Sequence, residues 1–423
     1  MRVARKAAGV ILQPEVTLPD ASRPAPLLQI ARLLITIIGL LIAVLGGLTG
    51  LALAVIFFFS GNGIPVDGAI TSLALTVLGL GLGGSLAWHA ARAYRQQPSA
   101  LFQPRPGWIL LVFYIPAIII GHFLITFDLA PALTLPPIHI LAAAVPPLAV
   151  LVFVGRALQG ANLHWREIVV QLSGGAFLAT FIALIAEVVL GLTVLLVSLF
   201  LMALAPGGLE QVEELAAHLQ DPIWIQDPNN IQQLLFFPPV LVTLVVVFVF
   251  LGPIIEEIGK LLGVALMSYR RPSLAQAFIW GLASGAGFTL IENLFNTTLA
   301  LEGWILIMIL RVGATAMHCL AGGLTALGWQ RLLAERRPWK LMGAYTLSVA
   351  IHAIWNALVI AITGISATAF ASSAELTQIL SGSAIIVLAA LFLILALAII
   401  VALIVITYRL RSQLTQSQIN DPS

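Results

Sequence analysis

Two carboxylates and an amine, Glu256, Glu257 and Lys260, stand inside one apolar run of this 423-residue chain. Later apolar runs add Glu292-Asn293, then Arg311 and His318, then His352 with Asn356. An ionisable group in hydrocarbon is costly unless it is paired or solvated in a cavity, so this many in successive runs indicate a polar site inside a membrane. Water activation is the chemistry such a set suits. A carboxylate in a poorly solvated site can take a proton from water as a general base, while an imidazole donates to a leaving amine or stabilises an oxyanion. Asn356 could orient His352 or donate to the oxyanion itself. His318, His352 and Glu256 are also the donor types of a two-His, one-carboxylate zinc site with an open position. No H-E-x-x-H spacing is present, so no cofactor is fixed by a motif and zinc rests on the convergence of separate helices.

Helical geometry tests that convergence. Glu256 and Lys260 are four apart, which predicts an ion pair on one face and leaves Glu257 on a neighbouring face. His352 and Asn356, also four apart, share a stripe. At 1.5 Å per residue, Glu256 lies ~21 Å from Arg270, His318 ~20 Å from Arg331 and His352 ~18 Å from Lys340, so one layer contains a carboxylate and two imidazoles. The same count puts Glu292 and Arg311 at roughly 30–32 Å, in an outer layer where they can neutralise one another. Gly281, Gly285 and Gly287 give the intervening helix a means of bending Glu292 inward.

The elements that must position these groups follow from composition. Hydrophobic residues form 60% and charged residues 9% of the chain, with a mean hydropathy of +1.05, which excludes a soluble domain of this length. The expected fold is all-α, a polytopic transmembrane helical bundle. About ten spans of ~20 apolar residues are expected, at 30–58, 69–90, 108–127, 138–154, 169–205, 235–268, 274–301, 304–332, 341–363 and 385–407. Arg2, Arg5, Lys6 and Arg23 precede the first span, and Arg92, Arg95 and Arg105 follow the second. Arg156 and Arg166 follow the fourth, Arg270 and Arg271 the sixth, Arg331, Arg336, Arg337 and Lys340 the eighth, and Arg409 and Arg411 the tenth. The alternate loops hold acids and no Lys or Arg. The positive-inside rule therefore puts both termini in the cytoplasm. With the charge so arranged there is no basic patch for nucleic acid. The one cysteine, Cys319, excludes an intrachain disulfide.

Two spans exceed a single crossing. The fifth would reach ~55 Å as a straight helix and must tilt, protrude or break; the sixth should kink at Gly252-Pro253, just before the acidic pair. Ser273-Leu-Ala-Gln276 has the form of a capping box opening the seventh. The expected organisation is a cytoplasmic segment 1–29, a five-span accessory region 30–234 with an acidic outside loop 206–233, a five-span core 235–407 and a tail 408–423. An amphipathic piece at 209–219 should lie at the surface.

The series Glu256-Glu257-x-x-Lys260, Phe288-x-x-x-Glu292-Asn293, Arg311 with His318, and His352-x-x-x-Asn356 resembles the motifs of the PrsW family of intramembrane proteases. That family is similar to the CAAX prenyl endopeptidases and bacteriocin-processing enzymes, which carry a related E-E, F-x-x-x-H and H-x-x-x-N series. The resemblance covers about 252–358. It implies a peptidase acting within the bilayer on a membrane protein or membrane-tethered peptide, with Glu256 or Glu257 activating water and Glu292, Asn293, His318, His352 and Asn356 completing the site. Lys260 and Arg311 take supporting places. Members are variously called glutamic-type or metalloproteases, and some are implicated in cleaving membrane-bound anti-sigma factors. The resemblance also implies a multi-pass protein of a cell membrane, a bacterial inner or plasma membrane.

Other readings of the same residues stand beside this one. Intramembrane Glu, Lys and His also line ion and proton paths, so a secondary transporter is the alternative. A non-catalytic scaffold with a polar core is a third class. Glu187, alone in the fifth span, is expected to be a locally paired structural carboxylate. His122 and His139 are expected at the interface, and Trp88, Trp108 and Trp304 as interface anchors. The glycines at 281, 285 and 287 and at 322 and 323 are expected to be close-packing surfaces or gates.

Overall fold

The structure, a computed structural model, describes residues 26–59, 65–295, 303–371 and 375–420. Ten helices there are long and apolar enough to cross a membrane: α1 (Pro26–Phe59), α2 (Val66–Tyr94), α3 (Trp108–Thr126), α4 (Pro131–Ala157), α5 (Trp165–Ala203), α6 (Pro238–Arg270), α7 (Leu274–Phe295), α8 (Trp304–Glu335), α9 (Pro338–Ser366) and α10 (Gln378–Gln416). They correspond one to one with the ten expected spans, and the protein is an all-α multi-pass membrane protein. Most of the segment 1–29 and the outer end of the seventh expected span lie outside the described residues. The amphipathic piece forms the helix Gly208–His218. Ser273 and Gln276 cap α7 reciprocally, each backbone N–H donating to the other's side-chain oxygen at 2.9 and 3.2 Å, as a capping box requires.

The long spans are relieved by wide turns. A π-helical turn interrupts α5 at Gly174–Ala179, and another interrupts α6 at Val246–Leu251. The latter ends one residue before Gly252-Pro253. Proline has no N–H to give a carbonyl on the preceding turn, so widening there is the cheap solution.

At the centre of the bundle lies α7, with 83% of its apolar window buried. Small residues make that possible. A methyl group at Gly281 would collide with the Gly322 carbonyl and one at Gly285 with the His318 carbonyl, so α7 and α8 approach backbone to backbone. On the other side, a methyl group at Gly287 would strike the Leu172 carbonyl of α5. The basic ends of α5, α6 and α7 are stapled by buried Glu167, which takes Arg270 at 2.7 Å and the Trp280 indole N–H at 3.3 Å.

Two interfacial expectations are corrected. His139 and Trp304 are both buried: the Trp304 indole donates to His139 Nδ1 at 2.9 Å, and His139 Nε2 meets the Leu294 carbonyl at 3.0 Å. A Trp or His near a span end satisfies its polar atom in water or against another helix, and here α4 and α7 supply the partner. Trp88 and Trp108 do stand exposed at span ends.

Candidate functional site

Glu256, Glu257 and Lys260 on α6, His318 on α8 and His352 on α9 are all buried and meet in one cluster. Lys260 is its cation. Its Nζ lies 2.7 Å from Glu257 Oε1, 3.4 Å from Glu256 Oε2 and 2.8 Å from His318 Nδ1, and it sits 4.3 Å over the Phe288 ring. The tighter ion pair is thus with Glu257 and not, as the four-residue spacing suggested, with Glu256 alone. An i,i+3 pair is as accessible on a helix as an i,i+4 pair, and the three-way contact lets one ammonium serve two acids.

The hydrogen bonds settle which imidazole nitrogens face inward. With the ammonium donating to Nδ1, His318 carries its proton on Nε2 and donates to Glu292 Oε2 at 2.8 Å. His352 gives Nδ1–H to Glu257 Oε1 at 3.1 Å, which leaves the Nε2 lone pair facing Glu256 Oε2 at 3.7 Å. Glu256 Oε2 is also 3.9 Å from His318 Nδ1. One oxygen therefore faces two ring nitrogens, and each ring is held from behind by a carboxylate. That is the arrangement by which metal-binding histidines are oriented and made more basic. One donor atom each from Glu256, His318 and His352 lies within 4.8 Å of the others, close enough to share an ion of zinc's size after small adjustments. Glu257 Oε2 is buried with no hydrogen-bond partner among the described residues, an open acceptor beside the same centre.

The outer layer forms as counted, and it joins the inner one. Arg311 pairs with Glu292 at 2.9 Å and donates from Nε to Asn293 Oδ1 at 2.5 Å. Because Glu292 Oε2 also takes His318, the carboxylate belongs to both layers. Asn293 spends its amide on the Ala143 carbonyl of α4 and on Thr315 of α8, at 3.1 and 3.2 Å. Asn356 is placed differently from either role expected of it: its amide donates to the Phe248 carbonyl at 2.8 Å, while Glu257 orients His352. Phe248 lies in the wide turn of α6, five residues before Pro253, whose missing N–H leaves that carbonyl without a helical partner.

One residue of the site was not found from the sequence. Glu187 on α5 comes up beside Glu256: a methyl group at Gly252 would sit 3.3 Å from Glu187 Oε1 and 3.7 Å from Glu256 Oε1. Gly252 therefore leaves room for two carboxyl groups, with Glu256 Oε1 on the Gly252 side and Oε2 toward the histidines. Depth was the available signal: counted from Arg166 at 1.5 Å per residue, Glu187 lies roughly 32 Å deep, level with Glu292. Four carboxyl groups then surround two cations, Lys260 and Arg311. Even with one proton shared between Glu187 and Glu256, the cluster keeps an excess of negative charge that would draw in a cation.

No curated protein and no solved structure matches the chain. The model of a family described as PrsW family intramembrane metalloprotease matches residues 163–397, which is more than half of the chain. The match begins just before α5, takes in Glu187 and spans every residue of the cluster. Both the buried Glu and His groups and this match point one way: the chain belongs to the PrsW family of intramembrane metalloproteases, and is a peptidase of the membrane.

Proposed function

We propose that the protein hydrolyses a peptide bond of a membrane-embedded or membrane-tethered protein, with Glu256, His318 and His352 holding a zinc ion and Glu257 acting as general base. The observation that carries this reading is the facing of Glu256 Oε2, His318 Nδ1 and His352 Nε2, each imidazole held from behind by a different carboxylate. Lys260 is the group that yields His318 Nδ1 when a metal is held, and it has Glu257 as its nearer partner. Zinc at this position would supply a Lewis acid for the scissile carbonyl and a more acidic water.

The chain's own groups divide the remaining work. Glu257 Oε2 takes one proton from the water as its oxygen bonds to the carbonyl carbon, then returns it to the amide nitrogen as the C–N bond breaks. Lys260 holds Glu257 in place through Oε1, leaving Oε2 for the proton. Glu187 holds Glu256 Oε1, so that Oε2 stays aimed at the imidazoles. We assign the Arg- and Lys-bearing ends of the spans, and with them both termini, to the cytoplasm of a bacterial cell.

The two glutamates can be separated by experiment. Glu256→Gln and Glu257→Gln are compared in purified protein for bound metal and for cleavage of a co-reconstituted single-span substrate. Glu256→Gln should lose metal and activity together, whereas Glu257→Gln should keep metal and lose activity, since the amide oxygen can still accept from His352. Full cleavage by Glu257→Gln would reject it as the base. Unchanged metal in Glu256→Gln would reject it as a ligand.

A further inference from the structure

Away from the cluster, a cavity of about 610 Å³ opens at the basic face, between the start of α3, the end of α4 and the end of α10. Its lining includes Arg156 and Arg411 and no carboxylate. Neither arginine enters an ion pair among the described residues. Arg156 is steadied by one bond, from Nη1 to the Pro104 carbonyl at 2.9 Å, which leaves its other N–H groups to spend. Trp108, Phe153 and Tyr408 supply aromatic walls and are all exposed. The level is that of lipid headgroups: the apolar run of α3 starts at Trp108, that of α10 ends at Thr407, and the charges begin there. The size is that of a small-ligand site.

Two guanidinium groups with no carboxylate partner among the described residues, above an apolar wall, fit a phosphate that has acyl chains below it. We propose that this cavity binds the phosphate of an anionic phospholipid, with Arg156 and Arg411 on the phosphate oxygens and Trp108 and Phe153 along the glycerol and upper acyl chains. The shared chemistry is that of a phosphate anion, which a soluble phosphate also offers. A lipid is favoured because the aromatic walls stand where the apolar runs of α3 and α10 give way to charge.

The test uses the full-length protein, delipidated in neutral detergent, and counts bound lipid by native mass spectrometry during titration with phosphatidylglycerol or phosphatidylcholine. Phosphatidylglycerol should bind about 30-fold more tightly, as expected for two basic side chains near a membrane surface. The double variant R156Q/R411Q should lose that preference, and R156K/R411K should keep part of it. Equal binding of the two lipids by the wild type, or an undiminished preference in the Gln variant, would overturn the proposal. Inorganic phosphate is the third arm. If millimolar phosphate binds and displaces phosphatidylglycerol, the site serves a soluble anion and the lipid assignment is wrong; no displacement supports it. Should R156Q/R411Q not fold, the wild-type comparison and the Lys variant decide the matter.

Discussion

The inner layer, where Glu256, Glu257, Lys260, His318 and His352 meet, and the outer layer, where Glu292, Asn293 and Arg311 meet, use much the same chemical groups. They differ in how much hydrogen-bonding capacity is already spent. In the outer layer Arg311 holds both Glu292 and Asn293, and Asn293 in turn holds α4 and α8. In the inner layer Glu257 Oε2 is buried without a partner among the described residues, and His352 Nε2 faces Glu256 Oε2 at 3.7 Å, beyond hydrogen-bond length. Unspent lone pairs in a buried site are expensive. In the proposed reading, their concentration in one layer is where a metal, a water and a substrate are received, while the saturated layer keeps the receiving groups aimed.

The same substitution made in each layer is the sharpest test of that difference. Glu257→Gln should lower turnover by about 10²–10⁴-fold, the usual contribution of a positioned base, at unchanged metal content. Glu292→Gln removes a carboxylate that orients His318, and should weaken metal binding or activity by about 10–100-fold. Rates measured at saturating zinc separate the two, because added metal should restore Glu292→Gln and leave Glu257→Gln inactive. If zinc rescues both equally, the layers do not divide the labour in this way.

A smaller effect is expected at Glu187, which touches the inner layer from α5. Glu187→Ala should raise the metal dissociation constant by up to about 10-fold, as for loss of one outer-shell partner. Glu187→Gln, which can still bond to Glu256 Oε1, should stay near wild type. Equilibrium dialysis against zinc would show it, and equal values for Ala and Gln would mean that Glu187 does not aim Glu256.

Much of this site could be derived from spacing, and the parts that could not have physical reasons. Depth counting placed Glu256, His318 and His352 together because α6, α8 and α9 each carry a charge boundary from which to count. It also placed Glu292 opposite Arg311. Helix rotation is not visible to that count, so the contact of Glu292 with His318 stood only as a possibility opened by the glycines of α7. Those glycines turned out to set how closely α7 packs against α8 and α5, which brings Glu292 within reach. Glu187 escaped because it is one acid in the most apolar part of α5, where nothing local marks a partner on α6. His139 and Trp304 escaped because apolar flanks look the same whether they face lipid or another helix. The least apolar crossing, α7, proved the most buried.

The smallest effect belongs to Asn356, where the difference between supporting and reacting groups is most easily tested. Its amide satisfies the Phe248 carbonyl, which the wide turn and Pro253 leave unpaired. Asn356→Ala should therefore cost about 1–3 kcal/mol of stability, the penalty for a polar group left unsatisfied where lipid rather than water surrounds it. The enzyme that remains folded should keep its kcat. Asn356→Asp cannot donate to a carbonyl when ionised and should destabilise at least as much. If Asn356 instead contacted the reacting carbonyl, Ala would lower kcat by about 10²–10³-fold, the loss seen on removing one oxyanion donor, with little change in unfolding. Thermal unfolding and single-turnover cleavage on the same preparation distinguish the two. A large kcat loss in a stable variant would move Asn356 from the framework into the reacting layer.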